Sequence, residues 1–275
     1  MKTFGIKTYA DLRADGTSRR AIDRAVAAGT VTRIARGWYA FPGADQQAVR
    51  AIQLGGRLGC LAGCRRYGLW VPPGSDPHVI CGAGCTSPHG SATLHSYPAP
   101  QPRTPVWPLL ECLDQVVQRH STETALVVLE SALHVGAIAI EDTPALFRRH
   151  QTQGSLLRKH LDKAESGSET RVRLFLQQRK VALRPQVEID GVGRVDLLVG
   201  RSLIIECDSE EHHAGKRNYE NDRSRDLAAR DRGYDTLRLS YQQIWRQWAY
   251  ARGVLARQIR LREHRDYPTS GRPSH

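Results

Sequence analysis

No stretch of this 275-residue sequence is apolar for long enough to cross a bilayer. The most apolar run, ALVVLESALHVGAIAI, is broken by Glu130 and His134, and a spanning helix needs about 20 largely apolar residues. The N-terminus, MKTFGIKTYADLRADG, holds no continuous apolar stretch, so no secretory leader and no membrane partner are expected, and the protein is expected in the cytoplasm. Repeats and long low-complexity tracts are missing, which excludes solenoids and fibrous arrays. Lysine is scarce, and arginine supplies most of the 40 basic side chains. The six cysteines contain no CxxC pair. Cys60/Cys64 and Cys81/Cys85 are CxxxC pairs, and cysteines four apart share a helix face. Zinc pairs are usually more closely spaced, however, and Cys60 and Cys64 lie among small residues where cysteine packs like alanine. A structural zinc is therefore not expected, nor are disulfides in a cytoplasmic chain.

What is abundant is positive charge. The net charge is +12. It is +4 over residues 1–45, +1 over 46–150 and +7 over 151–275. A basic front and a basic back flank a nearly neutral middle, and this suggests two surfaces for a polyanion. Arginine-rich composition alone would also give a merely solvated surface.

The front reads as helix, turn, helix and wing. TYADLRA forms a short helix, Asp15-Gly16 turns the chain, and Thr17 or Ser18 caps SRRAIDRAVAAG, which Gly29 stops. Ile22, Ala25 and Val26 make an inward stripe. Val31, Ile34, Trp38 and Tyr39 are strand-type residues around the Arg36-Gly37 turn. Double-stranded DNA is the expected partner of such a winged helix-turn-helix. Arg19, Arg20 and Arg24 are the candidate base or phosphate readers, and Arg33 and Arg36 the wing's phosphate contacts. The stretch SRRAIDRAVAAGTVTRIARGWYAFPG, ending in Arg36-Gly37-Trp38-Tyr39, resembles the N-terminal winged-helix domain of AbiE-type (type IV toxin–antitoxin) antitoxins. The resemblance covers about the first forty-five residues and implies DNA-binding regulation.

Residues 46–70 read as helical until Pro72-Pro73, DPHVIC and SATLHSYP as short strands, and PAPQPRTPVWP as extended. Helices follow near 108–119, 122–136 and 143–150. No catalytic constellation appears there, so 46–150 is expected to be a spacer and packing domain of mixed α/β type.

From residue 151 onward the rhythm changes. Helices are expected at 155–163 and 168–180, strands at 186–190, 194–199 and 202–207, a helix in NYENDRSRDLAARDR, and a fourth strand in YDTLRLSY running parallel to 202–207. A final basic helix is expected at 242–263. Asp196 enters one strand of the meander, and Glu206 and Asp208 close the next. Buried carboxylates are costly. A divalent cation would offset that cost, with Asp196, Glu206 and the Cys207 carbonyl as hard oxygen ligands for Mg²⁺ or Mn²⁺. The alternative is structural ion pairing of Asp196 and Glu206 with Arg194, Arg223 or Arg225.

Glu169 in SGSETRVRLFL, Val195-Asp196, Ile205-Glu206-Cys207-Asp208, the histidine-bearing loop and the strand GYDTLRL together resemble Vsr-like endonucleases of the PD-(D/E)XK superfamily over about residues 155–245. The resemblance implies Glu169, Asp196, Glu206, Asp208 and His213 as catalytic residues, with Asp196, Glu206 and Cys207 holding the metal. The sequence departs where the superfamily has lysine: Asp208 stands there. Asp208 as an extra ligand or base, or His213 as general base, would replace it, ahead of His212 and Lys216.

The whole reads as an α+β multi-domain protein: a winged helix-turn-helix over 1–45, a middle domain over 46–150 and a restriction-endonuclease-like domain over 151–275 with a four-stranded mixed sheet. The leading expectation is a DNA-binding protein with a metal-dependent endonuclease domain, and a homodimer where both strands are cut. The alternative is an antitoxin-like transcriptional regulator with a degenerate nuclease fold, for which a toxin protein is a further partner.

Overall fold

The computed structural model describes residues 4–74, 77–82, 92–208, 216–261 and 263–265, without the side chains of 216–222 and 263. The chain divides into two compact units, Met1–His120 and Ser121–His275. The expected boundaries at 45 and 150 fall inside these units.

The first unit opens with β1 (Ile6–Thr8), α1 (Tyr9–Ala14), α2 (Arg19–Ala27), β2 (Thr32–Ala35) and β3 (Trp38–Ala40). Thr8 caps α1 in a reciprocal box with Asp11, and Ser18 caps α2 through the amide of Ala21. Gly37 takes the left-handed turn (φ 77°) that folds β2 back on β3. The sheet order is β1-β3-β2, all antiparallel. The sequence reading missed β1: three residues are too short to show a period, and only pairing with β3 makes them a strand. Leu12, Ile22 and Tyr39 form a small core with Val26 and Val31 packed on it. Full burial of a side chain such as Ile22 contributes about 1.5–3 kcal/mol.

Residues 46–70 are not one helical segment. They form α3 (Gln46–Gln53), β4 (Gly56–Leu58) and α4 (Cys60–Arg66). Glycines decide this. A Cβ at Gly56 would lie 2.4 Å from Val79 Cγ1, and one at Gly59 would lie 2.4 Å from Ile80 Cγ1. Only backbone without side chains passes so close to the neighbouring strand, β5 (His78–Cys81), which pairs antiparallel with β4 and parallel with β6 (Thr93–Ser96). Helix α5 (Leu109–Arg119) completes the unit. Cys81 is disulfide-bonded, contrary to the expectation of none, whereas Cys60, Cys64, Cys112 and Cys207 are free and buried.

The second unit begins with α6 (Thr122–His134), α7 (Thr143–Arg149), α8 (Gln151–His160) and α9 (Gly167–Gln178). Next come β7 (Leu183–Ile189), β8 (Gly193–Val199), β9 (Leu203–Cys207), α10 (Lys216–Asp231), β10 (Asp235–Leu239), α11 (Tyr241–Trp245) and α12 (Trp248–Leu261). The sheet order is β10-β9-β8-β7, with β7, β8 and β9 antiparallel and β10 parallel to β9. This is the expected four-stranded mixed sheet. One face carries Leu197, Val199, Leu203, Ile205 and Cys207 against Val172 and Leu176 of α9 and Leu255 of α12. Leu198 and Ile204 pack with Ala229 of α10. The expected single helix over 242–263 is two helices, because α11 ends at Trp245 and α12 starts at Trp248. No described helix is long and apolar enough to cross a membrane.

Candidate functional site

In the second unit the register decides which acids meet. Leu197 opposes Ile205, so Asp196, one residue earlier, comes beside Glu206, one residue later. Pro185 and Val187 pair with Leu197 and Val195, which puts Gln186 across from Asp196 on the other side. The side chains follow this order. Gln186 Nε2 donates to Glu169 Oε2 at 2.7 Å and to Asp196 Oδ1 at 3.4 Å. Asp196 Oδ2 accepts the Cys207 amide at 2.8 Å, and the Asp196 amide donates to Glu206 Oε2 at 3.2 Å. Glu206 Oε1 faces Arg225 Nη2 at 3.3 Å.

Glu169, Asp196 and Glu206 are thus linked through Gln186 and the strand backbone. Glu169 is buried, and the other two are half-buried. Burial and the Asp196 charge push Glu169 and Glu206 each up to about 7. Burial also raises Asp196, against the Cys207 amide, Gln186 and Glu206 hydrogen bonds that favour its anion. Three acids crowd a site whose direct cationic contact is Arg225. Gln186 Oε1, between two of them, is buried with no hydrogen-bond partner. Hard oxygen donors, crowding that holds their pKa values up and an orphaned amide oxygen fit a hard divalent cation at Asp196 and Glu206. Glu169 does not join them in one cage: the three carboxylates are not a set whose ligand atoms all lie close together.

The ion-pair alternative is met in part. Arg225 takes Glu206, and its guanidinium also donates to the Val192 and Arg194 carbonyls. Arg194 turns away to Glu165 at 2.7 Å. Helix α10 is correspondingly more than a solvated face, since its Asp226 holds Arg238 of β10 at 2.8 Å. Asp208 is exposed, with its amide donating to the Leu239 carbonyl at the mouth of the parallel strands. His213 and His212 lie outside the described residues, as does the side chain of Lys216. The sequence names Arg225 only as one of three possible ion-pair partners and does not assign Gln186 to the site. Gln186 has φ 51°, a conformation no residue pattern announces.

In the first unit Arg19, Arg20 and Arg24 on α2 and Arg33 and Arg36 on the wing are all exposed, and Arg20 and Arg24 lie on the side of α2 away from the buried Ile22. Arg20 and Arg24, four apart, share one helix face. Arg19 stands 4.0 Å from Asp23, a loose surface pair.

A helix pair followed by a basic two-stranded wing has the element order of a winged helix-turn-helix. Residues 2–42 match the family described as a transcriptional regulator, AbiEi antitoxin. A search of curated proteins found no match.

Proposed function

We propose that this chain is a DNA-binding transcriptional regulator of the antitoxin type. The observation that carries this reading is the family match over residues 2–42, which falls on the part bearing five exposed arginines around α2 and its wing. In this reading α2 enters the major groove. Arg19, Arg20 and Arg24 meet base edges or phosphates there, and Arg33 and Arg36 hold the backbone. A toxin protein is the partner the family name suggests. Selection of bound fragments from random duplex DNA by the full chain should yield a preferred sequence. Loss of that preference in Arg20→Ala/Arg24→Ala supports the reading, and binding without preference overturns it.

A second reading is favoured by the crowding of Glu169, Asp196 and Glu206: a metal-dependent endonuclease of the PD-(D/E)XK type. Asp196 and Glu206 would hold Mg²⁺ or Mn²⁺ with the Cys207 carbonyl, and the ion when bound supplies charge stabilisation at the scissile phosphate. Glu169, held up to about 7, would take a proton from the attacking water. Gln186 keeps Glu169 and Asp196 in register. The position where the superfamily has lysine is Asp208, and this is what favours the regulator. Supercoiled plasmid incubated with Mg²⁺ or Mn²⁺ tests the point. Nicking that is absent in Asp196→Ala/Glu206→Ala establishes the nuclease. Intact plasmid, across substrates that carry the selected binding sequence, leaves the regulator alone.

A further inference from the structure

One further group of side chains in the first unit, sharing no residue with either set above, draws together from four elements. Cys60 starts α4, His78 starts β5, His95 lies on β6, and His120 follows the last residue of α5. One ligand atom from each lies within 4.8 Å of every other. Cys60 Sγ is 3.0 Å from His120 Nε2, and His78 Nδ1 is 2.8 Å from His95 Nε2. The parallel register pairs Ile80 with His95 and His78 with Thr93, so the two strand histidines are diagonal neighbours on one face. Cys60 and His78 are buried, and His95 and His120 are half-buried.

The chain is arranged to hold Cys60 there. Cys60 has φ 50°, a left-handed conformation that a side chain other than glycine adopts at a cost. Its amide donates to Gln115 Oε1 at 2.7 Å, so α5 fixes the cysteine and brings in His120 together.

We infer that Cys60, His78, His95 and His120 form a structural site for one divalent transition-metal ion of the zinc type. The donor set is one soft sulfur and three imidazoles, the chemistry that selects Zn²⁺ over Mg²⁺ or Ca²⁺. Tetrahedral coordination at about 2.0–2.3 Å would set ligand atoms about 3.3–3.7 Å apart. The observed separations bracket that spacing, so small side-chain adjustments enclose one ion. All four positions are filled by protein, which makes the ion a staple across β5, β6, α4 and α5. The spacing of the cysteines pointed elsewhere: Cys64, the partner four residues on, is not in the set.

The test is cobalt titration of the full chain, freed of metal and kept reduced, followed by metal analysis of the chain purified with zinc. The expected result is one equivalent of bound Co²⁺. Its spectrum should show tetrahedral ligand-field bands and a thiolate-to-cobalt charge-transfer band, displaced by one equivalent of Zn²⁺. Cys60→Ser should lose the charge-transfer band, and His95→Ala should weaken binding at least tenfold. Cys64→Ser and Asp196→Ala/Glu206→Ala should keep both. A wild-type chain with no charge-transfer band overturns the site, a result that needs no variant to fold. A band that persists in a soluble Cys60→Ser protein overturns the assignment.

Discussion

Glu130 of α6 and Arg173 of α9 form an ion pair from which solvent is wholly excluded. The pair is hydrogen-bonded around its edges. Thr170 Oγ1 donates to Glu130 Oε2 at 2.6 Å, the Asp162 amide donates to Oε1 at 3.0 Å, and Arg173 Nη1 donates to the His160 carbonyl at 2.7 Å. It therefore ties α6, the end of α8, the following loop and α9 into one body. Burial raises the Glu130 pKa, and Arg173 and the hydrogen bonds work against that rise.

Breaking this pair from one side should be costly. Arg173→Met or Glu130→Leu leaves the other charge buried and unmatched, and such changes cost about 3–5 kcal/mol. The double substitution removes both charges and should recover most of the loss. Urea unfolding of the three variants checks this. A double variant as unstable as the sum of the singles would mean that the surrounding hydrogen bonds, rather than the pair, carry the cost.

The acid cluster predicts a particular pH dependence. Glu169 and Glu206 have folded-state values near 7 against an ordinary 4.5. The folded state binds protons more tightly, so their contribution to stability is fully present below 4.5 and is lost as pH rises through 7. The contribution of these groups to melting temperature should fall between about pH 5 and pH 7 without added Mg²⁺, and Glu206→Gln should flatten that fall. If Asp196 and Glu206 bind Mg²⁺, added Mg²⁺ should stabilise the protein more at pH 8 than at pH 6, because binding requires the anions. Equal stabilisation at both values would mean that the ion binds elsewhere.

The exposed arginines should separate by salt dependence. If Arg33 and Arg36 contact phosphates, replacing either with alanine should weaken all sequences alike and lower the magnitude of the log–log salt slope by about 1. If Arg20 or Arg24 reads a base, its replacement should cost about 1–3 kcal/mol against the preferred site and relax discrimination there. Fluorescence anisotropy at several salt concentrations distinguishes the two. Unchanged affinity in all four variants would show α2 and the wing to be off the DNA.

A close approach in the second unit offers a packing test. A Cβ at Gly154 of α8 would lie 2.3 Å from the carbonyl oxygen of Phe147 in α7. Gly154→Ala should cost about 1–3 kcal/mol as overpacking, despite alanine's better helix propensity. A stabilised variant in thermal melts would show that the two helices can separate without penalty.

Local chemistry made much of this protein legible. Ser18 and Ser166 cap their helices through side-chain oxygens, as short polar residues before apolar runs do. The Arg36-Gly37 turn stands between strand-type residues, which is enough to read a hairpin there. Asp196 and Glu206 could be paired on paper because a short antiparallel connection leaves little choice of register.

Tertiary structure decided the rest. Gly56 and Gly59 turned an apparent helix into helix, strand and helix, because only a neighbouring strand shows why a missing Cβ matters there. Gln186 and Arg225 joined the acids through a strained backbone and a crossover helix, neither of which leaves a periodic trace. Cys60 met His78, His95 and His120 rather than Cys64, since spacing along the chain describes one helix face while a four-element site is assembled by packing. Sequence determined many of the elements and their caps, while β1 and β4 became strands only beside their pairing partners. Which distant side chains share one small volume was decided only when those elements were packed together.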